Sequence, residues 1–103
     1  MANADRTPDL LSFRIALKLK TPNQRAVFCY IYEHPDCSVQ DIRERTGVRK
    51  DNCLHIIRDL RARDLLIYRQ DEVRKVRHYS VNEELVEGLL ADFRKKLYTL
   101  FFG

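Results

Sequence analysis

The sequence predicts a mainly helical domain with one small β-hairpin. Two Thr-Pro pairs, at 7–8 and 21–22, each put a helix-capping side chain before a proline that suits the first helical position. Apolar residues recur at helical spacing along most of the chain. In contrast, "LLIYRQ" (65–70) and "VRHYSV" (76–81) are rich in aromatic and branched residues, and the polar "DEVRK" between them favours a hairpin.

The first two helices follow the Thr-Pro pairs. Segment 8–20, "PDLLSFRIALKLK", is predicted as a helix, although Phe13 and Ile15 belong to an alternating pattern that also fits a strand. Segment 22–34, "PNQRAVFCYIYEH", is predicted as the second helix and ends before Pro35.

Three further helices are predicted around the hairpin. Ser38 and Asp41 have the spacing of a capping box, and Gly47 can end this short helix in a left-handed conformation. A longer helix follows over 50–63, with an inward stripe at Cys53, Ile56, Ile57 and Leu60. After the hairpin, Asn82 caps a long amphipathic helix that continues to 102.

Length and composition limit the domain organisation. A chain of 103 residues with 45% hydrophobic content forms one domain with a modest core. We assign 1–7 to a disordered N-terminus and 8–103 to a single domain, in which 22–81 is the core and 8–20 and 82–102 are terminal helices. The sequence has no apolar segment of signal-peptide or membrane-span character, so we expect a cytoplasmic protein without a membrane partner.

Positive charge is concentrated in the middle of the chain. The net charge is +4, and from Arg43 to Lys75 ten basic residues stand against six acidic ones. This clustering favours a polyanionic partner. The sequence shows no nucleophile with a base and an orienting residue and no glycine-rich phosphate loop, so we do not expect an enzyme.

The order of elements is that of a winged helix-turn-helix, in which the second helix of the pair enters the major groove and the hairpin is the wing. The stretch "SVQDIRERTGVRKDNCLHIIRDLRARDLLIYRQ" resembles the ArsR-type winged-helix repressors, and MarR-type regulators share much of this pattern. The resemblance implies a transcriptional regulator. Arg49 stands where the ArsR family usually has a capping Ser, and Asp64 stands where it has Gly.

Eight residues are predicted to contact double-stranded DNA. Asn52 suits adenine, and the cations suit phosphate or guanine. The alternative is a solvated surface on a protein-protein interaction module, which the acidic Asp51 and Asp59 would suit better. The predicted residues are Arg49, Lys50, Asn52, His55 and Arg58 on the second helix of the pair, and Arg74, Lys75 and Arg77 on the wing.

The terminal helices are predicted to form a homodimer interface, because their apolar residues would otherwise leave a large patch in water. The alternative is that these residues only complete the core of one chain. The predicted interface residues are Leu10, Phe13, Leu17, Phe93, Leu97, Leu100 and Phe101.

Three cysteines without CxxC spacing are expected to be free thiols. Cys53 and His55, two apart on a helix, point about 200° away from each other and cannot share a metal ion. In metal-binding ArsR members the motif "CVCDL" supplies ligands, whereas this chain has "SVQDI" there, with Ser38 and Gln40 in the ligand positions. We therefore expect no metal and no cofactor. A thiol- or metal-responsive repressor using Cys29 and Cys37, with His34 nearby, stays open as an alternative.

Overall fold

The computed structural model describes residues 10–103, and within them it has the predicted winged helix-turn-helix architecture. The predicted disordered segment 1–7 and the first two residues of the predicted domain lie outside the described residues. The elements are α1 (Leu10–Ala16), α2 (Pro22–Glu33), α3 (Val39–Thr46), α4 (Lys50–Ala62), β1 (Leu66–Gln70), β2 (Arg77–Val81) and α5 (Glu83–Phe102).

Predicted caps are found at the start of α2 and at both ends of α3. The hydroxyl of Thr21 accepts from the backbone N–H of Gln24 at 3.1 Å, and the Gln24 side chain closes a capping box. At Thr21 the sequence predicted the N-cap alone, whereas the second box, formed by Ser38 and Asp41, was predicted as a box. Gly47 ends α3 with a φ of 73°, a left-handed conformation that glycine adopts without steric cost.

The first segment is a helix and not a strand, but it is shorter than the predicted 8–20. It ends at Ala16, because Lys18 takes a left-handed conformation with a φ of 51° and the N–H of Leu19 turns back to the carbonyl of Arg14. This turn lets Leu17 and Leu19 enter the core, where both side chains are fully buried. Burial of these leucines explains the break, which the apolar pattern did not reveal.

The hairpin is antiparallel, with Tyr68 opposite Tyr79 and Leu66 opposite Val81. It is joined to α4 through Asp64, whose φ is 61°. Glycine adopts this left-handed conformation most easily, which explains why the ArsR-type pattern has Gly at this position. Asp is among the few other residues that tolerate the conformation. Cys37 pairs with Tyr79 in an isolated bridge, so the α2–α3 connection lies along the edge of β2.

The core lies between α2, α4 and the inner face of the hairpin, with α1 and the first half of α5 packed over it. The predicted inward stripe of α4 is confirmed, since Cys53, Ile56, Ile57 and Leu60 are all buried. On α5 the buried residues are Val86 and Leu90, in its first half. Among the described residues no helix is long and apolar enough to cross a membrane.

Candidate nucleic-acid interface

The outer face of α4 is the main candidate surface. The turn at Gly47 directs the chain into α4, and burial of Val48 and of the inward stripe fixes the rotation of the helix about its axis. The opposite face is then left in solvent. The predicted contact residues Arg49, Lys50, Asn52, His55 and Arg58 are all exposed.

Each of the two aspartates of α4 has an arginine nearby that offsets its negative charge. Asp51 lies 3.9 Å from the guanidinium of Arg49, and as a carboxylate in the first turn it also meets the positive end of the helix dipole. Asp59 is partly buried and lies 3.9 Å from Arg63, which donates to the carbonyl of Leu17 in the α1–α2 connection. Asp59 thus lies beside Arg63, at the edge of α4 that faces the α1–α2 connection.

The wing loop is organised by Asp71. Its carboxylate accepts from the backbone N–H groups of Val73 and Arg74 at 2.9 and 3.1 Å, and these bonds hold the pKa of Asp71 below its usual range. Glu72 lies 4.0 Å from Lys75 on the solvent side. Within the described residues Arg74 has no such carboxylate partner, and its side chain is exposed.

The third predicted wing cation, Arg77, lies on β2 beside the loop. Its guanidinium carbon is 4.7 Å from the centre of the Tyr68 ring, and that of Arg61, in the last turn of α4, is 4.2 Å from the same centre. The sequence predicts Arg61 on the outward face of α4, but neither Arg61 nor Tyr68 was predicted as a contact residue. Their meeting depends on how the hairpin packs against α4, which no local pattern reveals.

Other arginines of the basic segment have structural partners. Arg69 donates two hydrogen bonds to Asp36, and Arg63 is held by Asp59 and the carbonyl of Leu17. The local excess of positive charge therefore divides into cations that hold the fold and cations that are exposed. Exposed cations of this segment lie on α3, on α4 and on the wing.

Two of the predicted dimer residues belong to the core of the single chain. Phe13 is 2% exposed and packs edge-on against Phe28, and Leu17 is 1% exposed, so their assignment to an interface is wrong. Phe13 was misassigned because α1 packs this side chain against α2, and Leu17 because the turn after Ala16 places it in the core. Phe93 is half-buried, whereas Leu10, Leu97, Leu100 and Phe101 are exposed. Further exposed apolar residues beside them are Leu11, Ile15, Tyr98 and Phe102.

The cysteines are buried. Burial is the main cause that raises the pKa of Cys29 to about 11 and that of Cys37 to about 12, and it also raises the pKa of Cys53. Thiolates, the reactive and metal-binding form, are therefore disfavoured. Among the described residues no group of three or more His, Cys, Asp and Glu side chains could hold a metal ion. Cys53 points inward and His55 outward, as predicted.

No family model matches the chain, and no curated protein matches it. Several solved structures, however, are similar to this chain. BpsR of Bordetella bronchiseptica, whose DNA binding is regulated by 6-hydroxynicotinic acid, is 22% identical over 91% of this chain and 72% of its own, with a TM-score of 0.58. A mutant of MepR from Staphylococcus aureus, bound to an oligodeoxyribonucleotide, is 18% identical over 88% of this chain and 71% of its own, with a TM-score of 0.61.

A MarR-family transcription regulator is also similar, at 18% identity over 87% of this chain and 63% of its own, with a TM-score of 0.58. These neighbours support the predicted nearness to MarR-type regulators, and the resemblance to ArsR-type repressors stays a prediction. Identities of this size establish the fold alone. The chain has the winged helix-turn-helix fold that these transcription regulators share.

Proposed function

We propose that this chain is a transcriptional regulator that binds specific sequences in double-stranded DNA as a homodimer. The observation that carries the proposal is the exposed face of α4, which presents Lys50, Asn52, His55 and Arg58 from the second helix of a helix-turn-helix pair. In this geometry α4 enters the major groove and the wing lies on the backbone or in the minor groove. The similar fold of MepR with bound oligodeoxyribonucleotide supports this arrangement by analogy.

The residue types suit distinct tasks within the proposed interface. Asn52 can donate to and accept from one adenine edge, whereas Arg58 can meet phosphate or guanine with its planar donors. On the wing, Arg74 contributes a cation that contacts phosphates whatever the base sequence. The raised thiol pKa values oppose the thiol- or metal-responsive alternative, because its cysteines would have to react as thiolates.

A second copy of the chain is the proposed partner of the exposed apolar surface. Leu100 and Phe101 are 75% and 72% exposed, and Leu10 of α1 is also exposed. Apolar surface of this kind is stabilised by burial against a partner. A two-fold dimer would place two α4 helices about 34 Å apart, which suits a palindromic site.

The test is duplex binding by fluorescence anisotropy with a charge-matched control. Lys50→Ala combined with Arg58→Ala should weaken binding to random duplex DNA and lower the slope of log affinity against log salt by about four, two contacts in each subunit of the dimer. The control, Arg94→Ala combined with Lys96→Ala, removes the same charge from exposed positions of α5 and should bind more like the parent. Equal losses in the two variants would mean that α4 is not the contact surface.

A further inference from the structure

We propose that Arg61 and Arg77 bind one DNA backbone phosphate where α4 meets the hairpin, and that Tyr68 is the positioning residue that holds both guanidinium groups. The inference rests on the proposed function, because it locates a phosphate contact within that DNA-binding surface. Of these three residues, only Arg77 follows from the sequence as a contact residue.

Strand register brings Arg77 to the Tyr68 ring. Tyr68 is paired with Tyr79, and Gln70 is paired with Arg77, so Tyr68 and Arg77 are diagonal neighbours on the same face of the hairpin. Arg61 reaches this ring from the last turn of α4. Both guanidinium carbons lie well inside the distance at which a cation is attracted to an aromatic ring, at 4.2 Å for Arg61 and 4.7 Å for Arg77.

This arrangement concentrates positive charge without a carboxylate to balance it. Within residues 10–103, neither Arg61 nor Arg77 has an ion-pair partner, whereas Arg69 on the same strand as Tyr68 is neutralised by Asp36. Two like charges beside one ring repel each other. An anion that accepts hydrogen bonds from both guanidinium groups would offset this repulsion, and a phosphodiester has the oxygens to do so.

The position favours a phosphate over a base edge. Arg61 follows Arg58 by three residues, so the two are neighbours on α4 and the pair with Arg77 continues the exposed face of that helix towards the wing. Arg77 is exposed and Arg61 is partly exposed, so solvent reaches both guanidinium groups beside the Tyr68 ring. Guanidinium groups held against a ring are restricted in their movement, and a contact to phosphate at a fixed place sets the orientation of a protein on the duplex.

Substitutions at Tyr68 separate stacking from charge. Tyr68→Leu keeps both arginines but removes the ring, and we expect it to weaken binding to random duplex about five- to tenfold at low salt. Tyr68→Phe keeps the ring and should bind as the parent does. Circular dichroism melting of each variant checks that the hairpin is still folded. Equal losses in Tyr68→Leu and Tyr68→Phe would assign the contact to the hydroxyl group and overturn the positioning role.

A double-mutant cycle tests whether the arginines share one phosphate. Arg61→Ala and Arg77→Ala should each weaken binding about tenfold and lower the salt slope by about two, one phosphate in each subunit of the dimer, and the double variant should lose less than the product of the two. The variants Arg61→Lys and Arg77→Lys, which keep the charge and perturb the fold least, should also bind more weakly because lysine lacks the planar fork. Losses that multiply would mean two separate phosphates and would overturn the shared site.

The control Arg94→Ala distinguishes this inference from the proposed function. Suppose that the parent binds DNA and that the Lys50 and Arg58 substitutions weaken this binding. If Arg61→Ala, Arg77→Ala and Tyr68→Leu then bind as well as Arg94→Ala does, the proposed phosphate site is wrong, whereas DNA binding stands. If the parent binds no duplex at low salt, the proposed function fails and the phosphate site fails with it.

Discussion

Arg69 and Asp36 form a bidentate ion pair that links the wing to the connection between α2 and α3. The Nε and Nη2 atoms of Arg69 donate to the two carboxylate oxygens of Asp36 at 2.8 and 2.7 Å. The backbone N–H of Asp36 donates to the hydroxyl of Ser80 at 2.9 Å, so both strands of the hairpin contribute. These contacts fix the wing relative to the helix-turn-helix, and thereby the orientation of the proposed DNA surface.

Removing the charge of Asp36 should destabilise the fold in a pH-dependent way. Arg69 holds the pKa of Asp36 below its usual value, so the pair stabilises the fold above the unfolded-state pKa and this contribution is lost as pH falls through the folded-state pKa. Asp36→Asn, which tolerates the local φ of 65°, should lower the melting temperature by a few degrees at neutral pH and by less in acid.

The control for this prediction is Glu72→Gln, which removes a carboxylate from the exposed pair with Lys75 at 4.0 Å. Exposed pairs of this length contribute little to stability, so its melting temperature should stay near that of the parent. If Asp36→Asn lowers the melting temperature by the same amount at every pH, the ion pair is not the source of this loss of stability.

Two glycine-to-alanine substitutions should change stability in opposite directions. A Cβ would meet no atom within 4 Å at Gly47 or at Gly88, so neither substitution causes a clash. Gly47→Ala should cost about 1 kcal/mol, because its φ of 73° strains an L side chain. Gly88→Ala, inside α5, should stabilise by about 1 kcal/mol through helix propensity. Chemical denaturation measures both, and a Gly47→Ala variant as stable as the parent or more stable would contradict the account of the α3–α4 turn.

The native thiols should be slow to react. With the pKa of Cys29 raised to about 11 and that of Cys37 to about 12, little thiolate is present at pH 8. We expect slow modification by a chromogenic disulfide reagent in the native state and rapid modification in denaturant. The neutral thiols stabilise the fold below the unfolded-state pKa, and this contribution is lost as pH rises through the folded-state values. Fast native modification that alters DNA affinity would instead favour a thiol sensor.

Charge placed in the exposed apolar surface should break the proposed dimer. Leu100→Glu should turn a dimer into a folded monomer in sedimentation equilibrium, because a carboxylate at the interface would be desolvated without a partner. Val73→Glu is the matched control, since Val73 is 90% exposed on the wing and away from this surface. The prediction fails if Leu100→Glu keeps the mass of the dimer or if the parent chain is itself a monomer.

Local signals in the sequence predicted most of the architecture. The N-cap at Thr21, the capping box at Ser38, the left-handed stop at Gly47 and the inward stripe of α4 each depend on residues close together in the sequence, and all are confirmed. The hairpin also follows from local composition and lies where it was predicted. The exposure of Lys50, His55 and Arg58 followed from helical periodicity in the same way.

What the sequence did not predict depends on contacts between distant elements. Phe13 and Leu17 fit an interface as well as a core, and only the packing of α1 against α2 and the turn that follows α1 decide between them. Likewise, the pairing of Arg69 with Asp36 separates it from the cations that are exposed, and the Tyr68 ring meets Arg61 only in the folded chain.

The measurement that tests the central claim most directly is fluorescence anisotropy of the parent chain on random duplex DNA, titrated at about 50 and 200 mM salt. A dimer that contacts six or more phosphates should lose about a thousandfold in affinity across this range, because each contact releases condensed counterions. Binding that weakens this steeply is the predicted result. Absence of binding at low salt would contradict DNA binding and would point to a protein partner for the winged-helix domain.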